Sequence, residues 1–244
     1  MRIVDYFGAS LLFTIQKIVV GFIITFWASH LLADERAPVL VELFTSQGCS
    51  SCPPADIILT GLSNNPNVVA LAFHVDYWDY IGWKDVFSQK AHSERQRAYA
   101  HVGGRRSVYT PQMIVQGEQH VVGNHPVEVN SLIKRHQEQA GKASLTVVRD
   151  AGKLRISAQA QGAAQPVAVL MVRYMPQGVT QIQKGENAGR EIAYANIVTE
   201  IKVLDIWDMK SPFETSERAS GSEKTAIILQ TRGHGPILAA ARAD

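Results

Sequence analysis

The strongest constraint on this chain is a pair of apolar runs joined by one amphipathic segment. Val39, Leu40, Val41, Leu43 and Phe44 read as a buried strand broken by a single acid, Glu42. After the Thr45-Ser46-Gln47-Gly48 turn, Ala55, Ile58, Leu59 and Leu62 recur at i, i+3, i+4 and i+7, one apolar helical face stopped by Asn64-Asn65-Pro66. Val68–Val75 is then a continuous apolar run, the pattern of a strand covered on both faces. Parallel strands need such a crossover helix. Their carboxyl ends share one sheet edge, where open α/β sheets bind ligands.

Both cysteines of the 244-residue chain stand at that edge, in Gly48-Cys49-Ser50-Ser51-Cys52-Pro53-Pro54. A C-x-x-C pair between strand and helix is the local pattern of a thiol–disulfide redox site. At a helix N-terminus, unpaired amides and the dipole favour an anion such as a thiolate, and a Cys pKa there can fall from ~8.5 to ~3.5–7.5. Cys49, first and more exposed, is the expected attacking thiol, and Cys52, one turn in, the resolving one. Pro53 and Pro54 fit a first helical turn. A permanently closed disulfide is a competing reading, though so small a loop adds little stabilisation. A structural zinc site needs four ligands, and no second C-x-x-C or H-x-x-x-H exists.

Two cysteines cannot staple a disulfide-dense scaffold, so the apolar content must supply the core. A net charge of +2 without a long basic run gives no electrostatic case for nucleic acid. Residues 1–33 read as an export segment, with Lys17 ahead of the apolar block Ile18–Ala28 and Leu31-Leu32-Ala33 near its end. An uncleaved membrane anchor is the rival reading. Either implies an oxidising compartment, where a C-x-x-C pair can close.

The second apolar run ends on His74 and Asp76, followed by an aromatic loop through Trp83 that should neighbour the cysteine turn. His74 can exchange protons near neutrality or ligate a metal, or be a satisfied structural histidine. Trp78, Tyr80 and Trp83 can form a peptide-binding surface or pack as core or lid. Ser88–Ala100 reads as a polar helix with Ser88 as its N-cap. Val108–Val115 and Gln119–Val122 make a hairpin, and Asn124 or His125 caps a helix through Gln139 with Pro126 at its first position.

The order β-α-β-α-β-β-α, with C-x-x-C after the first strand and Thr110-Pro111 opening the third, resembles the thioredoxin fold over residues 38–140. The stretches Glu42–Asp56, His74–Asp79 and Tyr109–Gln112 are similar to an exported bacterial thioredoxin-like family that carries only a domain-of-unknown-function label. The resemblance implies a fold and a site but no substrate. Through it, Pro111 matches the cis-proline of thioredoxin folds, and the Thr110 backbone would face Cys49 and pair with an extended substrate. Glu42 corresponds to a buried acid that handles the resolving thiol's proton. Its spacing is one residue longer here, and a solvent-facing or salt-bridged glutamate is the alternative.

From Lys142 the texture turns to β-like segments, Ser144–Val148, Lys153–Ala158, Pro166–Tyr174, Thr180–Gln183, Ile192–Ile206, Lys224–Thr231 and Ile237–Ala241, separated by turn residues. They suggest a β-rich, sandwich-like domain over 143–244; a sheet extension packed on the first part is the alternative. This half holds no cysteine and one histidine, His234.

The expected protein is an exported, periplasmic thiol–disulfide oxidoreductase, an α/β thioredoxin-like domain followed by a β-rich one. It would act on protein thiols or disulfides with a redox partner and needs no cofactor, resident metal or nucleic acid. A copper-handling protein using Cys49, Cys52 and His74 is the alternative from another class, since thiolates with an imidazole suit copper(I). A redox-inert module binding through the sandwich is the third.

Overall fold

Seven consecutive buried residues make β1 (Val39–Thr45), and seven more make β2 (Val68–His74). They run parallel in one register, from Val39 opposite Val68 to Thr45 opposite His74. The computed structural model describes residues 37–139, 141–162, 165–219 and 221–243, so the segment read as signal peptide or anchor lies outside the described residues. Helix α1 (Pro53–Ser63) crosses between the two strands and buries Ala55, Leu59 and Leu62 against Val41, Leu43, Ala70 and Ala72. Each leucine or valine of this set, fully withdrawn from water, stabilises the fold by roughly 1.5–3 kcal/mol.

Alternation along β1 sends Leu40, Glu42 and Phe44 to the other face. There α2 (Lys90–Val102) docks mainly through polar side chains, because His92, Ser93, Arg95 and Gln96 are all buried. The His92 ring Nδ1–H donates to the His74 carbonyl at 2.9 Å, and the Gln96 amide donates to the Tyr109 carbonyl and Gln112 Oε1, each at 2.8 Å. Buried polar groups are tolerated when paired in this way. Ser88 does not cap the helix; Gln89 holds that position, and the Ser88 hydroxyl binds Asp79 Oδ2 and the Asp85 carbonyl. Strands β3 (Gln112–Val115) and β4 (Gln119–Val122) form the expected hairpin beside β1, with α3 (Pro126–Gln137) after it.

The expectation of an α/β thioredoxin-like domain followed by a separate β-rich one is overturned. The described residues are mostly β, and one mixed eight-stranded sheet takes strands from both halves of the chain, in the order β11-β10-β7-β8-β2-β1-β3-β4. Its centre is a long hairpin of β7 (Val167–Gln181) and β8 (Glu191–Trp207). Strand β8 lies parallel to β2, with Ile197 opposite Ala72, and Asn196 donates its amide to the Ala70 carbonyl at 2.8 Å. Strands β10 (Lys224–Thr231) and β11 (Ile237–Ala243) extend the far side. Residues Arg36–Asp244 form one compact unit.

Strands β5 (Ala143–Asp150), β6 (Lys153–Ala160) and β9 (Phe213–Arg218) form a second, antiparallel sheet. Strand β6 alternates strictly between exposed and buried residues, and its buried Leu154, Ile156 and Ala158 pack with Val169, Met171, Ile227 and Leu229 of the large sheet. Pro176 falls beyond the β10 pairing, which ends at Tyr174, where a missing amide costs no bond to that neighbour.

Candidate functional site

Cys49 and Cys52 are joined in a disulfide with Cα atoms 5.4 Å apart. The pair precedes α1 rather than entering it: Cys52 is the N-cap residue, in helical conformation, and Cys49 lies in the turn before it. Both are buried, at 1% and 0% exposure, so Cys49 is not the more exposed thiol expected from its position. Between the two cysteines, Ser50 and Ser51 are exposed. Pro53 and Pro54 carry no amide hydrogen, and the amides of Ala55 and Asp56 both donate to the Cys52 carbonyl. The expected supply of unpaired first-turn amides is therefore largely absent, and the helix dipole remains.

Three segments wall the cysteine turn. The first is the aromatic loop: a Cβ at Gly48 would meet Ile81 Cδ1 at 2.9 Å and Trp78 Cβ at 3.3 Å, so only glycine fits so near. Trp78 also donates its indole N–H to Thr110 Oγ1 at 2.7 Å, and Trp83 donates to Gln47 Oε1 at 2.9 Å. Tyr80 points into solvent at 82% exposure. The second wall is the Thr110-Pro111 segment, whose peptide bond is cis. A Cβ at Gly123 would lie 3.2 Å from Ala55 and 3.3 Å from Pro111, which brings that segment against the start of α1.

The third wall comes from the other half of the chain, the turn between β7 and β8. Asn187 is buried and donates its amide to the carbonyls of Gln47 and Cys49, while Arg190 binds its Oδ1. Beside it, Glu186 accepts the Ser50 amide at 3.1 Å, and the Ser50 side chain together with that bond holds its carboxyl below the usual range.

Beneath the disulfide lies a polar cluster. His74 Nδ1 meets Asp85 Oδ2 at 2.7 Å with both side chains fully buried. Asp85 also accepts the Gln47 amide at 2.8 Å and the Phe87 amide at 2.9 Å. Thr45 faces the same side of the sheet as His74, its register partner, and the Tyr194 ring of β8 sits 4.8 Å from the His74 ring. Asp56, one turn after Cys52 in α1, completes the group, and burial pushes its carboxyl up to about 7 even though His74 draws it down.

Glu42 lies elsewhere. Its carboxylate points to the α2 face of β1, where Arg95 Nε binds it at 2.7 Å and the Tyr99 hydroxyl donates to it. The expected link to the resolving thiol is thus replaced by a buried ion pair on the opposite side of the sheet. Asp76 likewise faces α2, its Oδ1 accepting from the Ser93 hydroxyl. Nor is the copper set assembled, since Cys49 and Cys52 are bonded to each other. No group of three His, Cys, Asp or Glu among the described residues could hold a metal ion. No helix among them is long and apolar enough to cross a membrane.

Gln47, Asp56, Asp85, Glu186, Asn187 and Tyr194 are site residues that the sequence reading passed over. Asp56 carried a signal, since it stands at i+4 from Cys52 and i−3 from Leu59, on the buried face. The turn residues carried none.

A mostly β protein on a mixed eight-stranded sheet, with a buried C-x-x-C disulfide capping a helix beneath a hairpin turn, is the class these features define. The chain belongs to the family described as "protein of unknown function (DUF1223)", whose pattern matches residues 40–230. It is similar to a crystal structure of an Agrobacterium tumefaciens protein from a structural-genomics consortium, with 29% identity and a TM-score of 0.75 over 86% of this chain and 95% of that one. HBP35 of Porphyromonas gingivalis is similar in fold, at 14% identity and a TM-score of 0.59 over 85% of this chain and 74% of that one. No protein of curated function matches the chain.

Proposed function

We propose that Cys49 and Cys52 are the reaction centre of an exported thiol–disulfide oxidoreductase, working in a periplasm-like compartment on protein thiols or disulfides. The observation that carries this reading is the setting of the disulfide, which caps α1 amid polar and aromatic groups drawn from both halves of the chain. A staple across so short a turn contributes little chain-entropy stabilisation, so stability alone does not account for it. In the oxidising direction, a substrate thiolate attacks one sulfur of the pair and the Cys49–Cys52 bond breaks. A second substrate thiolate then displaces the protein sulfur, leaving a substrate disulfide and two protein thiols.

Trapping tests the reading. Cys52→Ser in the exporting cell should accumulate mixed disulfides through Cys49, absent from the variant lacking both cysteines. An absence of adducts from an abundant, folded Cys52→Ser protein would contradict it.

A further inference from the structure

Four buried side-chain atoms, Thr45 Oγ1, Asp56 Oδ2, His74 Nε2 and Tyr194 OH, converge by the start of α1 with no partner in full hydrogen-bond geometry, although the Thr45 hydroxyl bears on the Asp56 carboxyl. A buried polar group left unpaired costs roughly 1–3 kcal/mol, and native structures keep few of them. Here they come from β1, α1, β2 and β8 and meet in one place. Asp56 is 3% exposed and His74 0%.

The geometry ties the cluster to one cysteine. Cys52 has helical dihedrals, and the Asp56 amide donates to its carbonyl at 3.1 Å, the i to i+4 relation that sets two side chains on one helix face. The first turn meanwhile offers a thiolate few amide donors, because two are prolines and two are spent on the Cys52 carbonyl. Deprotonating Cys52 therefore calls for a base rather than for a ready-made anion site. Glu42 faces the other way, paired with Arg95.

We propose that Asp56 takes the proton from the Cys52 thiol and returns it, with His74 as a positioning residue held from behind by Asp85. The proposal rests on the redox reading above. In the reducing direction, the Cys49 thiolate attacks a substrate disulfide, forming a Cys49–substrate bond and releasing one substrate thiolate. Asp56 carboxylate then takes the Cys52 proton, and the Cys52 thiolate attacks Cys49 Sγ. The Cys49–Cys52 bond forms, the Cys49–substrate bond breaks, and the second substrate thiolate leaves with the electron pair and is protonated.

The groups facing Asp56 set when it is ready. They are His74 of β2, Asp85 beyond it, Thr45 of β1 and Tyr194 of β8, with Arg190 bearing on Tyr194 from the hairpin turn and His92 of α2 against His74. Burial raises the carboxyl to about 7, with His74 and the Thr45 hydroxyl opposing and Asp85 reinforcing, so it can exchange a proton near neutrality.

The test is stopped-flow measurement of the two exchange steps, using an aromatic small-molecule disulfide whose released thiolate is coloured. In Asp56→Asn, attack by Cys49 should change less than about threefold, while resolution by Cys52 should slow at pH 7 by about 100-fold or more. Wild-type resolution should show an inflection near pH 7 that Asp56→Asn lacks. His74→Gln should move the inflection to higher pH, because a side chain that draws the carboxyl down is gone. Asp56→Ser should repeat the loss if Asn alone perturbs the fold. Unchanged resolution with the same inflection in both Asp56 variants would overturn the proposal. Failure of the wild type to exchange at all would instead remove the redox reading beneath it.

Discussion

Asn187 donates its side-chain amide to the Cys49 carbonyl at 2.9 Å, across 138 positions of sequence, and at the same distance to that of Gln47. Strand pairing makes this possible, since β8 lies beside β2 and carries its hairpin turn to the edge where β1 ends. The site is thus closed by the half of the chain that holds no cysteine.

That closure is measurable. Asn187→Ala removes two hydrogen bonds, those to the Gln47 and Cys49 carbonyls, at a net cost of about 1 kcal/mol each, so the turn should open more readily. Reduction of the oxidised protein by a small phosphine should accelerate, by roughly tenfold to thirtyfold given about 1.4 kcal/mol per factor of ten. Rates should be compared well below the melting temperature. An unchanged rate would mean that the turn does not limit access to the disulfide.

Asp56 and His92 should pull stability in opposite directions with pH. Because burial lifts the folded-state Asp56 carboxyl from 3.8 to about 7, the fold holds a proton that the unfolded chain has lost, and stability falls as pH rises through that range. At about 1.4 kcal/mol per pH unit, the carboxylate withholds up to about 4 kcal/mol by pH 8. Asp56→Asn should therefore be the more stable protein at pH 8 and should converge with the wild type near pH 4. Urea titrations at both pH values check this.

For His92, burial lowers the imidazole from 6.5 to about 4. The unfolded chain takes up the proton first, so the stability present above pH 6.5 is lost as pH falls toward 4. His92→Gln should flatten that acid limb. A wild-type-like slope between these pH values would contradict the assignment.

Glu42 should matter to folding and not to exchange chemistry. Glu42→Gln strands a buried Arg95, whose loss of a partner should cost about 3–5 kcal/mol. Thiol exchange by the folded variant should stay within about threefold of wild type. A selective loss of resolution would return Glu42 to the reaction centre.

The elements around the disulfide were legible because their signals are local. Two apolar runs and the spacing Ala55, Leu59, Leu62 define β1, α1 and β2, and the buried residues follow them closely. Reading that helix by its apolar positions alone hid Asp56, a polar residue on the same face. The joining of the halves was not legible, since pairing Ala72 with Ile197 depends on contacts far apart in sequence. Thr180–Gln183 looked like a separate strand because Pro176 and Gly178 interrupt the pattern, yet β7 runs through both. Strand β9 escaped notice because exposed polar residues alternate with Phe213, Thr215 and the partly covered Glu217, leaving little apolar signal. Lys184-Gly185-Glu186-Asn187 has no periodicity at all, which is why the cover over Cys49 was invisible.

The most direct measurement is the redox equilibrium of the Cys49–Cys52 couple. The full protein is brought to equilibrium in glutathione or dithiothreitol buffers of graded poise, acid-quenched, alkylated and weighed by mass spectrometry. A redox centre should convert reversibly in one two-electron step, with a midpoint above about −300 mV, while the protein stays folded by circular dichroism. A disulfide that resists reduction at that poise, and yields only when the protein unfolds, would contradict the assignment.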